Sequence, residues 1–159
     1  MGDGQEMRLL DGIGASRSRW QLLANQVMVE PYDSDSTDAA ILSMDQWSGY
    51  PVARDRRLTV VAQRAPNRTV VITGDIHSNW VNEPHSDFFR PDRPSIAAEF
   101  VATSISSGGD GSAALPATAN AALAANPHVE WHNRQTGYVS CTIEADSWHT
   151  EYRTVPSVS

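Results

Sequence analysis

The sequence predicts a layered domain of the α/β or α+β class. Its 159 residues are 40% hydrophobic, which suffices for one buried core and is too apolar for a disordered chain. Segment 69–73 (TVVIT) is β-branched throughout and bounded by turn residues, as is typical of a strand buried on both faces. Segments with helical spacing of apolar residues lie elsewhere in the chain. Strands and helices are therefore expected to share one layered core.

The N-terminal part is predicted to begin with a short helix over residues 5–17, where Met7 and Leu10 recur at helical spacing. Residues 20–29 (WQLLANQVMV) follow as a predicted buried strand. The acidic segment 33–40 has no hydrophobic period, so we predict a flexible, solvated loop there.

A second helix is predicted to begin at Pro51, because proline is tolerated in the first turn of a helix. Leu58 and Val61 form its apolar stripe. The buried strand 69–73 comes next and is expected to be central in its sheet. Residues 74–79 then form a polar loop.

The C-terminal part combines a strand, a loop region and a predicted hairpin. Residues 97–104 are interpreted as a strand, and residues 106–127 as a Gly/Ala-rich loop with a short helix that begins at Pro116. Segments 138–144 and 148–155 carry β-forming residues on either side of a tight connection. They are predicted to pair as a β-hairpin.

The composition excludes several classes of function. Twelve basic and 19 acidic residues give a net charge of −7, which argues against a nucleic-acid-binding surface. Every basic residue is arginine, so a lysine nucleophile, a Schiff base and a P-loop lysine are excluded. The single cysteine, Cys141, excludes an internal disulfide and is predicted to be a small buried residue. No apolar run approaches the roughly 18–20 residues of a membrane span, and the polar N-terminus is not a signal peptide.

The junction after the predicted central strand carries the strongest chemical signal. Asp75 and His77 follow Gly74 directly, and side chains at i and i+2 can share one face. A carboxylate oxygen and an imidazole nitrogen are suitable ligands for a divalent cation. Strand ends are also where α/β sheets bind their ligands. The alternative is an aspartate that caps a turn beside a surface histidine, and spacing alone leaves both interpretations open.

Other polar residues give weaker indications. His128 and His132 have the spacing of a ligand pair on a helix, although Pro127 argues against a regular helix there. Glu99 points either inward in a functional role or to the polar side of an edge strand, and the edge interpretation is favoured. The Gly-rich segment 106–111 resembles a phosphate-binding nest in composition but lacks the end of a P-loop, so a flexible loop is favoured.

Five blocks of sequence occur in a fixed order along the chain. They are Trp20 with 23–27 (LANQV), 44–51 (MDQWSGYP), 71–80 (VITGDIHSNW), 99–109 (EFVATSISSGG), and 126–128 (NPH) with 137–139 (GYV). Together they resemble the C-terminal portion of the alkaline phosphatase D (PhoD-like) family, within the metallophosphatase or calcineurin-like phosphoesterase superfamily. The resemblance extends over nearly the whole chain.

The resemblance implies that residues 1–159 form the C-terminal half of a metallophosphatase-type two-sheet sandwich flanked by helices. It also implies metal-dependent hydrolysis of phosphate esters, with calcium and iron as the metal ions and a secreted or periplasmic location. Asp75 and His77 match the family's Gly-Asp-Val-His block, so the resemblance implies that they are metal ligands. Asn79 and Tyr50 are expected to line the same site.

The chain also departs from the family pattern. The upstream motifs that supply further metal ligands are not found, and Ser48 stands where the family usually has an aspartate before Gly-Tyr. We therefore expect an incomplete site, whose activity would require an N-terminal half that is either supplied in trans or absent. The alternatives are a catalytically inactive remnant and a module that binds a phosphorylated ligand without turnover. Half a sandwich is also expected to leave sheet edges uncovered, which favours association.

Overall fold

The computed structural model describes residues 2–35, 37, 39–88, 90 and 92–158. Within these residues the chain forms three α-helices, seven strands and one short 3₁₀ turn. In chain order they are α1 (Asp3–Ala15), β1 (Gln21–Ala24), the 3₁₀ turn (Trp47–Gly49), α2 (Pro51–Arg64), β2 (Thr69–Thr73), β3 (Asn79–Asn82), β4 (Ala98–Val101), α3 (Ala117–Ala124), β5 (Val129–Asn133), β6 (Gly137–Ile143) and β7 (Trp148–Thr154). The predicted α/β class is confirmed.

Five of the strands form one mixed sheet in the order β1-β2-β4-β3-β5. The first three of these run parallel, with Leu23 beside Val71 and Val71 beside Glu99. The other two strands are antiparallel to their neighbours. Because β2 lies between two parallel strands and is buried, its β-branched sequence is satisfied on both faces, as predicted.

The helices α1 and α2 cover one face of this sheet. Ile13 from α1 and Leu58 and Val61 from α2 are buried against Val71 of β2. Pro51 occupies the first turn of α2, where its missing N–H leaves no helical hydrogen bond unmade. Both predicted helices are therefore confirmed. The ends of α1 lie two residues from those of the predicted helix 5–17, and α2 begins at Pro51 as predicted.

The hairpin β6–β7 forms a second, two-stranded sheet and lies on the opposite face. The Tyr152 hydroxyl donates to the backbone oxygen of Trp80, and its ring lies 4.8 Å from that of Trp131. At the other end of the hairpin, Trp20 Nε1 donates to the Glu144 carbonyl at 2.8 Å. The predicted hairpin is confirmed.

Several predictions from the sequence are wrong in detail. The predicted strand 20–29 is a strand only over β1, because Met28 and Val29 leave the sheet to fill the core. Neither β3 nor β5 was predicted, since both are short and rich in polar residues. Cys141 is exposed rather than buried, because it lines an open pocket between strand β6 and the five-stranded sheet.

The predicted acidic loop 33–40 is described in part, and Ser36 and Asp38 lie outside the described residues. At its start, the Asp33 backbone N–H donates to Asn126 Oδ1 and the Asp33 carbonyl accepts from Asn126 Nδ2, both at 2.8 Å. Asn126 is fully buried at the end of α3, so it fastens this end of the loop. None of the helices in the described ranges is long and apolar enough to cross a membrane.

Candidate functional site

Three parallel strands end at the same edge of the sheet, hereafter the carboxyl edge. The segments that follow β1, β2 and β4 are joined there by backbone hydrogen bonds. Gly74 N donates to Gln26 O at 3.3 Å, and Ala102 N donates to Thr73 O at 2.9 Å. This is the edge at which α/β sheets bind ligands, and the loop 74–78 occupies its centre.

The backbone of loop 74–78 is held in an uncommon conformation. Asp75 has φ 74° and is spanned by a hydrogen bond from Ile76 N to Gly74 O at 3.0 Å, which makes a γ-turn with positive φ. His77 is also left-handed, with φ 54°. Such conformations in residues other than glycine cost of order 1–3 kcal/mol each and concentrate at functional sites.

The side chains of Asp75 and His77 are both exposed at the carboxyl edge. Neither makes a hydrogen bond or an ion pair to any other residue of the described chain. An aspartate that caps a turn would accept a backbone N–H, and Asp75 accepts none within that chain. The turn-cap alternative is therefore excluded for the described residues, and both side chains remain available to a ligand.

The far end of the loop is fixed to the core by Trp80. Its Nε1 donates to Ser78 Oγ at 2.8 Å, and the ring is 3% exposed. Tyr32 packs edge-on against the ring at 4.8 Å between centroids. The loop is thus attached to a buried aromatic cluster, which holds Asp75 and His77 in their positive-φ conformations.

Asn79 begins β3 and is almost completely buried. Its Nδ2 donates to Gln135 O at 2.9 Å and to Asn133 Oδ1 at 3.3 Å, while its Oδ1 accepts the Thr103 N–H at 3.1 Å. These bonds join three segments at the carboxyl edge. The side chain is thereby engaged within the protein, one residue beyond the exposed loop.

Tyr50 lies at the beginning of α2, where it is 64% exposed. Its ring contacts Trp47 with a centroid distance of 6.4 Å. It is not among the residues that line the pocket beside His77. The structure therefore brings Asp75, His77 and Asn79 into one loop region and leaves Tyr50 on a different element.

Glu99 is a functional candidate that sequence reasoning underestimated. The edge-strand interpretation is wrong, because β4 is the middle strand of five and Glu99 is completely buried. Its carboxylate accepts the N–H of Val29 at 2.7 Å, the N–H of Glu30 at 3.1 Å and Asn82 Nδ2 at 2.9 Å. Burial raises the pKa of Glu99, and these hydrogen bonds offset part of that rise.

Glu30 is buried beside Glu99, and neither of its carboxylate oxygens has a hydrogen-bond partner within the described chain. Burial and the charge of Glu99 raise its pKa well above the usual value, while the charge of Arg54 and the backbone N–H of His85, which lies outside good hydrogen-bond geometry, oppose the rise. Two buried carboxylates that repel each other are more stable when at least one holds a proton. The pair lies on the helix side of the sheet, away from the exposed loop.

Arg57 is a buried cation whose charge opposes the rise that burial causes in the pKa of Glu99. Its guanidinium lies 3.9 Å from the centre of the Trp47 ring, and its Nη1 donates to Asn25 Oδ1 at 3.3 Å. Burial lowers its pKa to about 10, so the side chain stays protonated at neutral pH. Through Asn25, it supports the segment that follows β1 at the carboxyl edge.

A pocket of about 640 Å³ opens beside His77. Besides His77 its polar wall includes Ser78, Ser107, Ser112, His132 and Arg134. No aspartate or glutamate of the described chain lines it. The pocket therefore combines a loop suited to metal ligation with a wall that favours anions.

His132 and His128 do not form the helical pair that their spacing suggested, because His132 lies on strand β5 and His128 precedes it. His128 Nε2 is bonded to Pro31 O at 2.7 Å, a structural contact. His132 stacks on Trp80, and both of its ring nitrogens lack a partner within the described residues. Burial, aided by the charge of Arg134, lowers the pKa of His132 to about 4, so the ring is neutral.

The donor chemistry of Asp75 and His77 fits a metal ion. Carboxylate oxygens and imidazole nitrogens are common metal ligands, and neither side chain has another partner in the described chain. Across the described residues, however, no group of three or more His, Cys, Asp or Glu side chains is arranged to hold a metal. A structural or catalytic metal usually takes about four or more ligands. The described chain thus offers two suitable side chains and not a full coordination shell.

Comparison with known proteins connects this geometry to a family. The family model described as PhoD-like phosphatase matches residues 1–152. The chain is 37% identical over all 159 residues to "Alkaline phosphatase D" of Bacillus subtilis (strain 168), and it spans 27% of the length of that protein. A solved structure titled "Structure of PhoD" matches with a TM-score of 0.93 and 37% identity, over 99% of this chain and 30% of that one.

These matches and the fold agree with the resemblance found in the ordered sequence blocks. The structural match extends through the five-stranded sheet, the hairpin and the loop that carries Asp75 and His77. The chain belongs to the PhoD-like phosphatase family.

Proposed function

We propose that this chain takes part in metal-dependent hydrolysis of phosphate esters, with Asp75 and His77 as metal ligands. The observation that carries the proposal is the exposed loop at the carboxyl edge. There, both residues have left-handed backbone conformations, and their side chains have no partner in the described chain. The name of the Bacillus subtilis relative, "Alkaline phosphatase D", supports the reaction class.

The bound metals, calcium and iron by the family resemblance, would neutralise phosphate oxygens and lower the pKa of a water molecule. The chain's own residues have separate tasks. Asp75 and His77 supply one oxygen and one nitrogen ligand. Asn79 holds the loop against segments 103 and 133–135 through its three hydrogen bonds. Tyr50, exposed on α2, is proposed to line the substrate side of the completed site.

The remaining ligands are proposed to come from residues outside those described here. This follows from the two-residue donor set and from the family's need for a larger one. The secreted or periplasmic location that the resemblance implies is part of the same proposal. The net charge of −7 gives no support for a nucleic-acid surface.

A second candidate function is a phosphate-binding module without turnover. The incomplete ligand set favours it, because two ligands hold a metal weakly and leave no defined position for an attacking water. This alternative uses the same pocket and predicts binding of a phosphate ester without product release.

One experiment separates the two. The chain is assayed for release of nitrophenol from bis-nitrophenyl phosphate with added calcium and iron. The assay is run alone and with the part of the Bacillus subtilis relative that lies outside the match. Metal-dependent release that disappears in Asp75→Asn and His77→Ala supports hydrolysis. Ester binding without release in either arrangement supports the module and contradicts the enzyme proposal.

A further inference from the structure

The pocket beside His77 has no acidic side chain of the described residues in its lining, which is unusual for an acidic chain. Arg134, His77 and His132 contribute nitrogen groups, and no carboxylate of the described residues joins them. The nearby carboxylate of Asp110 accepts the Val158 N–H at 2.7 Å and is not part of the lining. In a protein of net charge −7, the pocket therefore presents the charge of Arg134 without a carboxylate in its lining.

Arg134 provides the formal charge in this pocket. Five of the chain's arginines pair with carboxylates, namely Arg19, Arg54, Arg56, Arg90 and Arg153. The Arg134 side chain has no hydrogen bond and no ion pair within the described residues, although it lines a pocket. A guanidinium presents a planar fork of donors that matches the oxygens of a phosphate group.

The Gly-rich loop 106–111 forms the wall beside Arg134. Gly108, Gly109 and Gly111 have φ of 85°, 74° and 71°. The N–H groups of Gly108 and Gly109 donate to no acceptor in the described chain. Exposed N–H groups in such turns form concave anion-binding nests. This gives a structural basis for the nest-like composition that the sequence alone left as a flexible loop.

The loop and Arg134 are held side by side by close backbone packing. Ser112 N donates to Arg134 O at 3.3 Å, and the Thr136 hydroxyl donates to Gly109 O. A Cβ atom at Gly111 would lie 1.9 Å from Arg134 O, so only glycine fits there. The donors of this wall are therefore preorganised before any ligand arrives.

His132 supplies the second, independent feature of the pocket. Both of its ring nitrogens are shielded from solvent and lack a partner within the described chain, although the ring is fixed against Trp80. A neutral imidazole carries one donor and one acceptor. Because both nitrogens are closed to solvent, a ligand in the pocket could bond to them only if the ring or its neighbours moved, so His132 contributes a neutral wall and not a fixed donor.

We propose that Arg134 and the loop 106–111 form a phosphate-binding subsite that acts without metal, next to the loop of Asp75 and His77, with His132 as a neutral part of the lining. The choice of phosphate as the anion rests on the proposed function, whereas the basic lining does not. The subsite would hold a phosphorylated ligand by its oxygens in the pocket that His77 also lines. Arg134 is thus assigned as a residue that determines affinity for the anionic part of the ligand.

The test uses the whole 159-residue chain, labelled with ¹⁵N and kept in a chelator so that no metal contributes. Inorganic phosphate is titrated at constant ionic strength, with chloride as the reference anion. The amide signals of Gly108 and Gly109 and the Nε–H signal of Arg134 are followed by NMR. We expect saturable shifts of these signals with phosphate and none with chloride. Arg134→Gln is expected to weaken phosphate binding by about tenfold.

Arg8→Gln is the matched control, because Arg8 is exposed on α1 and the substitution removes the same charge. It is expected to change the affinity by less than about twofold, since solvent and salt screen a distant charge. Equal weakening in both variants, or no phosphate-specific shift in the loop, would overturn the subsite. Because metals are removed, this result is independent of the nitrophenol assay. Phosphate binding without hydrolysis would leave the subsite standing while the enzyme proposal fails.

Discussion

Trp80 and His132 stack face to face, with ring centroids 3.6 Å apart and planes inclined by only 14°. The stack joins β3 to β5 directly beneath the candidate site, and these two residues are paired in the strand register. The arrangement secures the aromatic contact but leaves two shielded nitrogens without a hydrogen-bond partner in the described chain. A histidine at this position is thus poorly explained by stability alone.

This leads to a prediction for His132→Phe. Phenylalanine keeps the stacking ring and removes the unpartnered nitrogens, so we expect the free energy of unfolding to stay equal or rise by about 1 kcal/mol. His132→Ala loses the stack and should lower it by about 1–2 kcal/mol. Urea denaturation followed by circular dichroism measures both. A loss in His132→Phe as large as in His132→Ala would contradict this account.

Glu99 is expected to be essential for the fold. In Glu99→Ala, the N–H groups of Val29 and Glu30 and the amide of Asn82 would lose their buried acceptor. Each unsatisfied buried group costs about 1–3 kcal/mol, so the variant should lose several kcal/mol of stability, or fail to fold. Glu99→Gln retains one accepting oxygen and is expected to lose about half as much. Thermal unfolding of the two variants compares them, and an unchanged midpoint in Glu99→Ala would refute the role.

The pH dependence of stability should reflect Glu30. Its pKa in the folded protein is well above the usual value near 4.5, so between these two values the folded state binds more protons than the unfolded state. By linkage, stability is fully present below the unfolded value and is lost as the pH rises through the folded pKa. Glu99, whose pKa is also raised, contributes with the same sign.

The matched variant is Glu30→Gln, which is neutral at every pH. At alkaline pH, it should be more stable than the parent by at least about 1–3 kcal/mol, because the parent then holds an ionised buried carboxylate and the glutamine stays neutral. Its free energy of unfolding should also vary less between pH 5 and pH 9. Exposed Glu130→Gln serves as the control. The explanation fails if the parent chain becomes more stable as the pH rises over this interval.

The sequence carried the fold class because the strongest patterns were local. The β-branched run of β2 indicates a buried strand, and the apolar stripe of α2 indicates a helix with one buried face. Both could therefore be identified without tertiary information. Strand β3 could not, since Asn79 and Asn82 look like loop residues until Asn133 and Glu99 satisfy their amides. Glu99 was misjudged for the same reason. Its burial depends on hydrogen bonds that its carboxylate accepts from backbone N–H groups about 70 residues earlier in the sequence.

The candidate site was likewise foreseen only in part. Asp75 and His77 stand out because polar residues follow a buried strand at once. Arg134 and the loop 106–111 are brought to the same pocket by backbone pairing between segments that no spacing rule connects. A hint existed in the glycines of that loop, but three positive φ angles are visible only in the structure.

Asp75 allows strain and ligand binding to be separated. Asp75→Gly relieves the left-handed backbone and is expected to raise the free energy of unfolding by about 1 kcal/mol. Asp75→Asn tolerates the same φ, so its stability should match the parent chain. We expect calcium to raise the melting temperature of the parent chain, and this rise should vanish in both variants because the carboxylate is absent. Calcium-dependent stabilisation that survives in Asp75→Asn would remove Asp75 from the metal site.

The last prediction concerns association through the sheet, which the resemblance to half a sandwich suggested. β1 is an edge strand of the five-stranded sheet, and its Leu22 is 47% exposed. On the same side, an apolar pocket of about 730 Å³ is lined by Ile72 and Phe100 of the sheet and Tyr138 of the hairpin. Apolar area of this kind next to an unpaired strand edge favours pairing with another chain.

We therefore expect the chain to self-associate with increasing concentration in sedimentation-velocity experiments. Leu22→Lys places a charge on the edge strand and should shift the distribution toward monomer. Val52→Lys is a suitable control, because Val52 is 68% exposed on α2, on the opposite face of the sheet. A parent chain that stays monomeric over the whole concentration range would show that the hairpin β6–β7 already covers enough of this face.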